Sequence, residues 1–330
     1  MPLCAHCGLS KNLLIVSMTP LPRCVDRAEN VSRHDERGAT SATTASVRPS
    51  MTSPKRHHFV AEMMQRRFTD CSGLLHFFNK QTPEKGVQST TPKNLLARTH
   101  LYSKVRADGS HDISLEERYS KLEGVISPVL DQIGAAVLRR SLPSIPESTR
   151  HVLDHFVYEQ IRRVPDFHEK VMPIAGAKLA VEEAVAKFET KYRKLTPEER
   201  EKTFRPKEIA EFRQNARVGA LSRHSPRVLS ALHAKDLFFG ICRKKSSFLI
   251  GGAPVARFAK ALTDPNTELW LPIHPNVVVI FAGKRGDGKI VDIPERFVRK
   301  FNGIIAKQST IFAGRSAVLV SATVKRLGLH

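Results

Sequence analysis

The chain has 330 residues, 41% apolar and 26% charged, with 53 Lys and Arg against 32 Asp and Glu for a net charge of +21. This length suits one large domain or two modest ones, and the composition excludes a chain disordered throughout. No run of about 18 apolar residues occurs, which excludes a membrane-spanning helix, and so large a basic surplus favours polyanions such as nucleic acid as partners.

Residues 1–50 differ from the rest. They hold Cys4, Cys7 and Cys24, while Cys71 and Cys242 lie further on. Five thiols, three of them near the start, read as the reduced cysteines of a cytoplasmic protein rather than a disulfide framework. Leu13–Val16 is too short an apolar run for a secretory signal. From Asn30 to Pro54 the chain is rich in Ser, Thr and Arg without helical or strand periodicity. Met51 then opens Met-Thr-Ser-Pro-Lys-Arg-His-His, a plausible natural start. The expectation is a disordered leader or misassigned start over residues 1–54 and a single domain over 55–330.

His57–Val60 reads as a short extended opening. Ala61–Phe68 suits a short helix with Met64 and Phe68 on one face, broken at Gly73. Leu74–Asn79 reads as a strand and Lys85–Thr91 as its hairpin partner. Ser114-Leu115-Glu116-Glu117 has the capping-box pattern. After it Leu115, Tyr119, Leu122, Ile126, Val129, Leu130, Ile133 and Val137 keep helical spacing, with Pro128 expected to kink or split the run. Ser148–Arg163 is a second helix, with Val152, Phe156 and Ile161 inward and Pro165 as its stop. Lys178–Lys194 is a third, its apolar side made of Leu179, Val181, Val185 and Phe188. Thr196-Pro197-Glu198-Glu199 is a further capping box with Pro at the first helical position, and helices are expected to continue to about Phe238.

The pattern then turns to Val- and Ile-rich strands at Ser247–Ile250, Glu268–Leu271, Val277–Ala282, Lys289–Ile293 and Ala317–Ser321. One helix interrupts them, from Pro294-Glu295 to about Ser309. Segregated runs of this kind predict an α+β fold. A small N-terminal strand element would precede a helical middle, and a strand-rich C-terminal part would surround one mixed or antiparallel sheet.

Several local patterns in order resemble the bacterial family known as domain of unknown function 4238. They are His57-His58-Phe59-Val60 with Arg66 and Phe68, Tyr102 ahead of Glu116 and Glu123, and Gln160-Ile161-Arg162-Arg163-Val164-Pro165 at a helix end. Further on come Phe248–Val255, Leu271-Pro272-Ile273-His274-Pro275 and Asn302. The resemblance spans about Lys55 to Val320. It departs at Ala61, where the family usually has Pro, and at Gly252, where it usually has Asp before the x-Pro-Val turn. The resemblance implies no known activity, substrate or cofactor.

The most site-like residues are His57 and His58, since His serves both as general base and as metal ligand near neutral pH. Neighbours on a strand face opposite ways, so only one can address a given pocket. The pair resembles the first strand of His-Asn-His nucleases, with Asn94 and His100 available at a spacing that is not diagnostic. Gln160 and Arg163 share a helix face, and Arg163 suits either a phosphate or an internal ion pair to Glu116 or Glu123. Glu116, Glu123, Gly252 and Pro254 are expected to line the same site. Gly283–Lys289 has half of a phosphate loop but lacks the Ser or Thr and the helix that follow one, so it reads as a hairpin turn. Cys4, Cys7, Cys24 and His34 have partial zinc-ligand spacing, and Arg243-Lys244-Lys245 reads as a solvated turn. Aromatic residues interleave poorly with the basic ones, which speaks against a base-stacking platform.

The sequence thus suggests a cytoplasmic protein whose basic surface binds or acts on a polyanion such as nucleic acid, with no membrane association. Two other readings stand beside it: a metal-dependent phosphodiesterase or nuclease-like enzyme centred on His57 and His58, and an inactive structural or partner-binding relative. The sequence leaves both the cofactor and the oligomeric state open.

Overall fold

The protein is described by a computed structural model covering residues 56–242, 245–258 and 261–329. The leader, the Met51 start, the cysteines and histidine of the zinc reading, and Arg243 and Lys244 lie outside the described residues.

The chain opens with β1 (Arg56–His58), α1 (Glu62–Arg66), β2 (Leu75–Asn79), β3 (Gln88–Thr90), β4 (Ala97–Thr99), β5 (Lys104–Val105) and β6 (His111–Asp112). β1 pairs antiparallel with β4, β2 with β3, and β5 with β6. The helix α1 buries Met64, and Phe68 beyond it is equally enclosed.

The helical middle follows as α2 (Ser114–Leu138), α3 (Glu147–Arg162), α4 (Pro165–Val171), α5 (Ile174–Lys191), α6 (Pro197–Thr203), α7 (Pro206–Leu221) and α8 (Pro226–His233). The Thr196 box forms in full: its hydroxyl accepts from Glu199 N–H, and the Glu199 carboxylate accepts from Thr196 N–H. The Ser114 box does not form, because Ser114 is already helical and its N–H donates to the Asp112 carboxylate at 3.0 Å. Pro128 does not split α2 either. It lies on the exposed side, where water can satisfy the carbonyl it leaves unpaired. The Arg67 guanidinium straddles it, bonding Ser127 O at 2.9 Å and Asp131 Oδ1 at 3.0 Å.

α5 turns Ala177, Val181 and Val185 inward to meet Ile209 of α7 in a small separate core, and leaves Leu179 56% exposed. The buried stripe therefore runs at steps of four from Ala177; Val181 and Val185 face inward as expected, whereas Leu179 and Phe188 point to solvent. α7 also braces β5, since the Asn215 amide pairs with both backbone groups of Val105.

The remaining elements are β7 (Asp236–Cys242), β8 (Ile250–Gly251), β9 (Ala256–Phe258), β10 (Glu268–His274), β11 (Val277–Ala282), β12 (Lys289–Ile293), α9 (Glu295–Gln308), β13 (Ile311–Gly314) and α10 (Ala317–Leu327). Helices do not continue to Phe238. Leu237, Phe239 and Cys242 are buried in β7, the second strand of a five-stranded mixed sheet ordered β12-β7-β11-β10-β9. Ala317–Ser321 is not a strand but the first turns of α10, capped by Ser316 and burying Val320, Thr323 and Val324 at helical spacing. Gly283–Lys289 is not a hairpin turn. β12 pairs in parallel with β7, so this loop crosses the end of β7 and Arg285 N–H donates to Ala234 O. Gly288 has φ +64°, and a Cβ there would lie 2.7 Å from Leu237 O, so the crossing requires glycine.

The second sheet joins the two ends of the fold. Its order is β3-β2-β13-β8, all antiparallel, with β13 between the N-terminal hairpin and β8. Around these sheets runs a core that includes Phe59, Tyr119, Phe156, Phe281, Phe301 and Phe312. The architecture is α+β, with helices in the middle of the chain and strands towards both ends. No helix among the described residues is long and apolar enough to cross a membrane.

Gly240 marks the tightest point of the mixed sheet, because a Cβ there would lie 2.6 Å from Val278 Cγ1 and 2.8 Å from Ile293 Cγ1. Gly124 is an exposed position inside α2 with open space around it. Gly240→Ala is expected to lower the unfolding free energy by about 1–3 kcal/mol. Gly124→Ala is expected to raise it by about 0.5–1 kcal/mol. Urea titration of both variants checks the pair, and equal effects would contradict this packing.

Candidate functional site

Pro165 ends α3 by drawing Val164 into extended backbone, which leaves Arg163 at the helix C-cap. A cation there complements the carbonyl end of the helix. The side chain turns inward and is 2% exposed. Its Nε donates to Phe59 O at 3.1 Å and its Nη1 to Glu123 Oε1 at 2.6 Å. The guanidinium carbon lies 5.3 Å from the centre of the Tyr119 ring. Turned so that its oxygen faces the guanidinium, the Gln160 amide accepts from Arg163 Nε and Nη2 at 3.2 and 3.0 Å. Burial works against the Arg163 charge, but the Glu123 carboxylate together with Tyr102 and Tyr119 favours it, so the pKa lies above its ordinary value.

Tyr102 links this cation to the opening strand. Its hydroxyl donates to Arg163 O at 3.1 Å, and its N–H donates to His57 Nδ1 at 3.0 Å. Nδ1 is thereby an acceptor, so the neutral ring carries its proton on Nε2. The two rings stack with centroids 5.9 Å apart. Glu116 Oε2 lies 3.8 Å from His57 Nδ1, is buried and has no hydrogen-bond partner among the described residues. Burial, and then the like charge of Glu123, push the Glu116 carboxyl up to about 7.

Helical spacing on α2 and α3 thus brings His57, Glu116, Glu123, Gln160 and Arg163 into one buried network. His58, Gly252 and Pro254 lie outside it. His58 faces away from His57, with Nε2 3.3 Å from Pro92 O. Gly252 borders a groove of 390 Å³ shared with Phe59, Phe77, Ser89, Asn94 and Arg98. Pro254 is buried in a turn whose flanking carbonyls, on Ala253 and Val255, accept from Gln308 Nε2. Phe59 separates the two regions: its carbonyl accepts from Arg163, and its ring edge lies 3.2 Å from where a Gly252 Cβ would stand. Asn94 accepts from Arg56 at 3.2 Å, while the His100 ring stands edge-on to His57 at 6.4 Å.

Residues 56–316, which contain this network and the groove, match the family model described as "Protein of unknown function (DUF4238)". The chain belongs to the DUF4238 family. No curated protein and no solved structure matches it. The matched span of this DUF4238 chain stops short of α10.

Two further sets of polar side chains were missed by reading the sequence. Glu147, His151, His155 and Glu159 follow one another at steps of four along α3, a signal visible in the sequence as a stripe on one helix face. His224 and His233, from either end of the α8 region, complete two clusters: Glu147 with His151 and His233, and His155 with Glu159 and His224. These are the residues of the DUF4238 chain, among those described, that could hold a metal ion. The second cluster continues the buried network, because the Tyr119 hydroxyl donates to Glu159 Oε2 at 3.0 Å.

The Glu116 carboxyl has a pH signature with a definite sign. Its folded-state pKa of about 7 exceeds the ordinary 4.5. Between those values the folded protein holds more protons than the unfolded chain, so stability falls as pH rises. Glu116→Gln is expected to stabilise the protein by roughly 2–3 kcal/mol at pH ~8 and to change little at pH ~4. Chemical denaturation at the two pH values checks this, and a Gln variant less stable at the higher pH would contradict it.

Proposed function

We propose that this protein binds a polyanion, nucleic acid in particular, through the outer face of α9 and α10. The carrying observation is a stripe of exposed cations. Arg296, Arg299, Lys300 and Lys307 follow helical spacing along the solvent side of α9, whose other side buries Val298, Phe301 and Ile305. Arg326 of α10 reaches the same stripe, since a Cβ on Gly303 would stand 4.0 Å from its Nη2. Lys325 is exposed beside it.

Glu295 is the single acid on α9, and it pairs with Arg299 at 3.1 Å. Among the described residues no carboxylate pairs with Lys300, Lys307, Lys325 or Arg326. Long basic side chains on a rigid helix face suit phosphate contacts, which set affinity rather than sequence choice. The overall charge of +21 supports the same reading by drawing anions towards the molecule. A cytoplasmic setting fits this role, and Cys71 and Cys242 are both free thiols.

Fluorescence anisotropy with a labelled DNA duplex across a salt series tests the proposal. Binding is expected at about 50 mM salt and to weaken steeply by about 200 mM. The Lys300→Ala, Lys307→Ala, Arg326→Ala triple variant is expected to flatten the logarithmic salt slope by about 2–3. Absence of binding at low salt, or a triple variant with the wild-type slope, would overturn it.

A further inference from the structure

We propose that His155, Glu159 and His224 form a three-ligand site for a divalent transition-metal cation of the zinc class. The three donor atoms stand in a closed triangle. His155 Nε2 and His224 Nε2 are 3.1 Å apart, His224 Nε2 and Glu159 Oε1 are 2.9 Å apart, and His155 Nε2 and Glu159 Oε1 are 3.5 Å apart. Around a tetrahedral zinc with bonds of about 2.0–2.1 Å, neighbouring donors stand about 3.3–3.4 Å apart. The observed edges bracket that length. Two imidazoles and one carboxylate are also an established zinc donor set, with the fourth position left to water or substrate.

Proton counting gives a second argument. The two Nε2 atoms and Glu159 Oε1 all converge on one point. With both rings protonated on Nδ1, each Nε2 turns a lone pair to that point beside the carboxylate, so a cation at the centre engages all three.

The surroundings hold the donors in place. His155 and Glu159 are one helical turn apart on α3. Glu159 is 1% exposed at its side chain, and its second oxygen is fixed by the Tyr119 hydroxyl, the kind of outer hydrogen bond that orients a ligating carboxylate. His224 sits in the link between α7 and α8. Arg118 anchors that link through Leu221 O and Ser222 O, and the Tyr158 hydroxyl accepts from Ser225 N–H. The His155 and His224 side chains remain about a third exposed, so one side of the site opens to solvent.

Arg162 is the competing cation. Its Nη1 lies 3.3 Å from Glu159 Oε1, but the group is parked over the Tyr158 ring at 4.7 Å, with Nη2 donating to Ala220 O at 2.5 Å. It therefore moderates the affinity without filling the triangle. The other cluster differs on this point. There Arg285 bonds both Glu147 oxygens and contacts His233 Nε2, which puts a guanidinium where an ion would go. It serves as the internal control.

The test uses the full, untagged chain stripped with chelator and titrated with Zn²⁺ by calorimetry and with Co²⁺ by visible absorption. One equivalent with Kd below about 10 μM and the d–d bands of tetrahedral Co²⁺ are expected. His224→Ala and Glu159→Gln are expected to weaken Zn²⁺ binding tenfold or more, and His151→Ala to leave it unchanged. Thermal melts keep the outcome interpretable if a variant is less stable. Zn²⁺ is expected to raise the midpoint of wild type and His151→Ala but not of His224→Ala. Absence of saturable binding, or loss with His151→Ala rather than His224→Ala, would overturn the assignment.

Discussion

The buried guanidinium of Arg163 is the constraint on which the arrangement of the fold depends. A charge so enclosed is costly unless its donors are met, and removing one partner leaves the other exposed to that cost. Its donors go to three different parts of the chain: the Phe59 carbonyl of the opening segment, Glu123 of α2, and Gln160 of its own helix α3. The Tyr102 hydroxyl closes the circuit on the Arg163 carbonyl. These groups have a satisfied arrangement only when the opening strand, α2 and the end of α3 are in register. The network thus ties the opening segment, α2 and the end of α3 together through directional contacts.

Long periodic helices were legible because their patterns extend over several turns. The stripe of α2 from Leu115 to Val137 and the amphipathic face of α9 are examples. Short apolar runs were not. Asp236–Cys242 reads equally as the end of a helical stretch or as a strand, and its place between β11 and β12 decides the matter. Ala317–Ser321 looks strand-like over five residues, but burial at Val320, Thr323 and Val324 shows the helical period once the window is longer. The loop at Gly283–Lys289 has hairpin composition on both sides. Nothing local records that its strands are separated by β7.

The candidate site divides in the same way. The residues drawn from the opening strand, α2 and the end of α3 do meet, yet no feature of their spacing announces that they meet in an enclosed interior. Nor does it announce that Gly252 faces a groove on the far side of Phe59. The stripe of acids and histidines on α3 was present in the chain, but its meaning depends on His224, which arrives from the α7–α8 link. The polar interior therefore has two characters. Arg163 is enclosed and met by partners inside the fold, whereas at Glu159 the same chain of contacts reaches a partly open surface.

The placement of β13 has a consequence for biosynthesis. Asn79 lies opposite Ile311 and His76 opposite Gly314, so the hairpin made early in translation waits for nearly the whole chain before its inner edge is covered. At typical elongation rates the delay is on the order of ten seconds or more. During that time a nascent chain leaving the ribosome presents an open β edge that invites pairing with neighbours. Ribosome-associated chaperones would find their natural client in that interval, and a premature stop codon before Ile311 would leave the hairpin without its central partner.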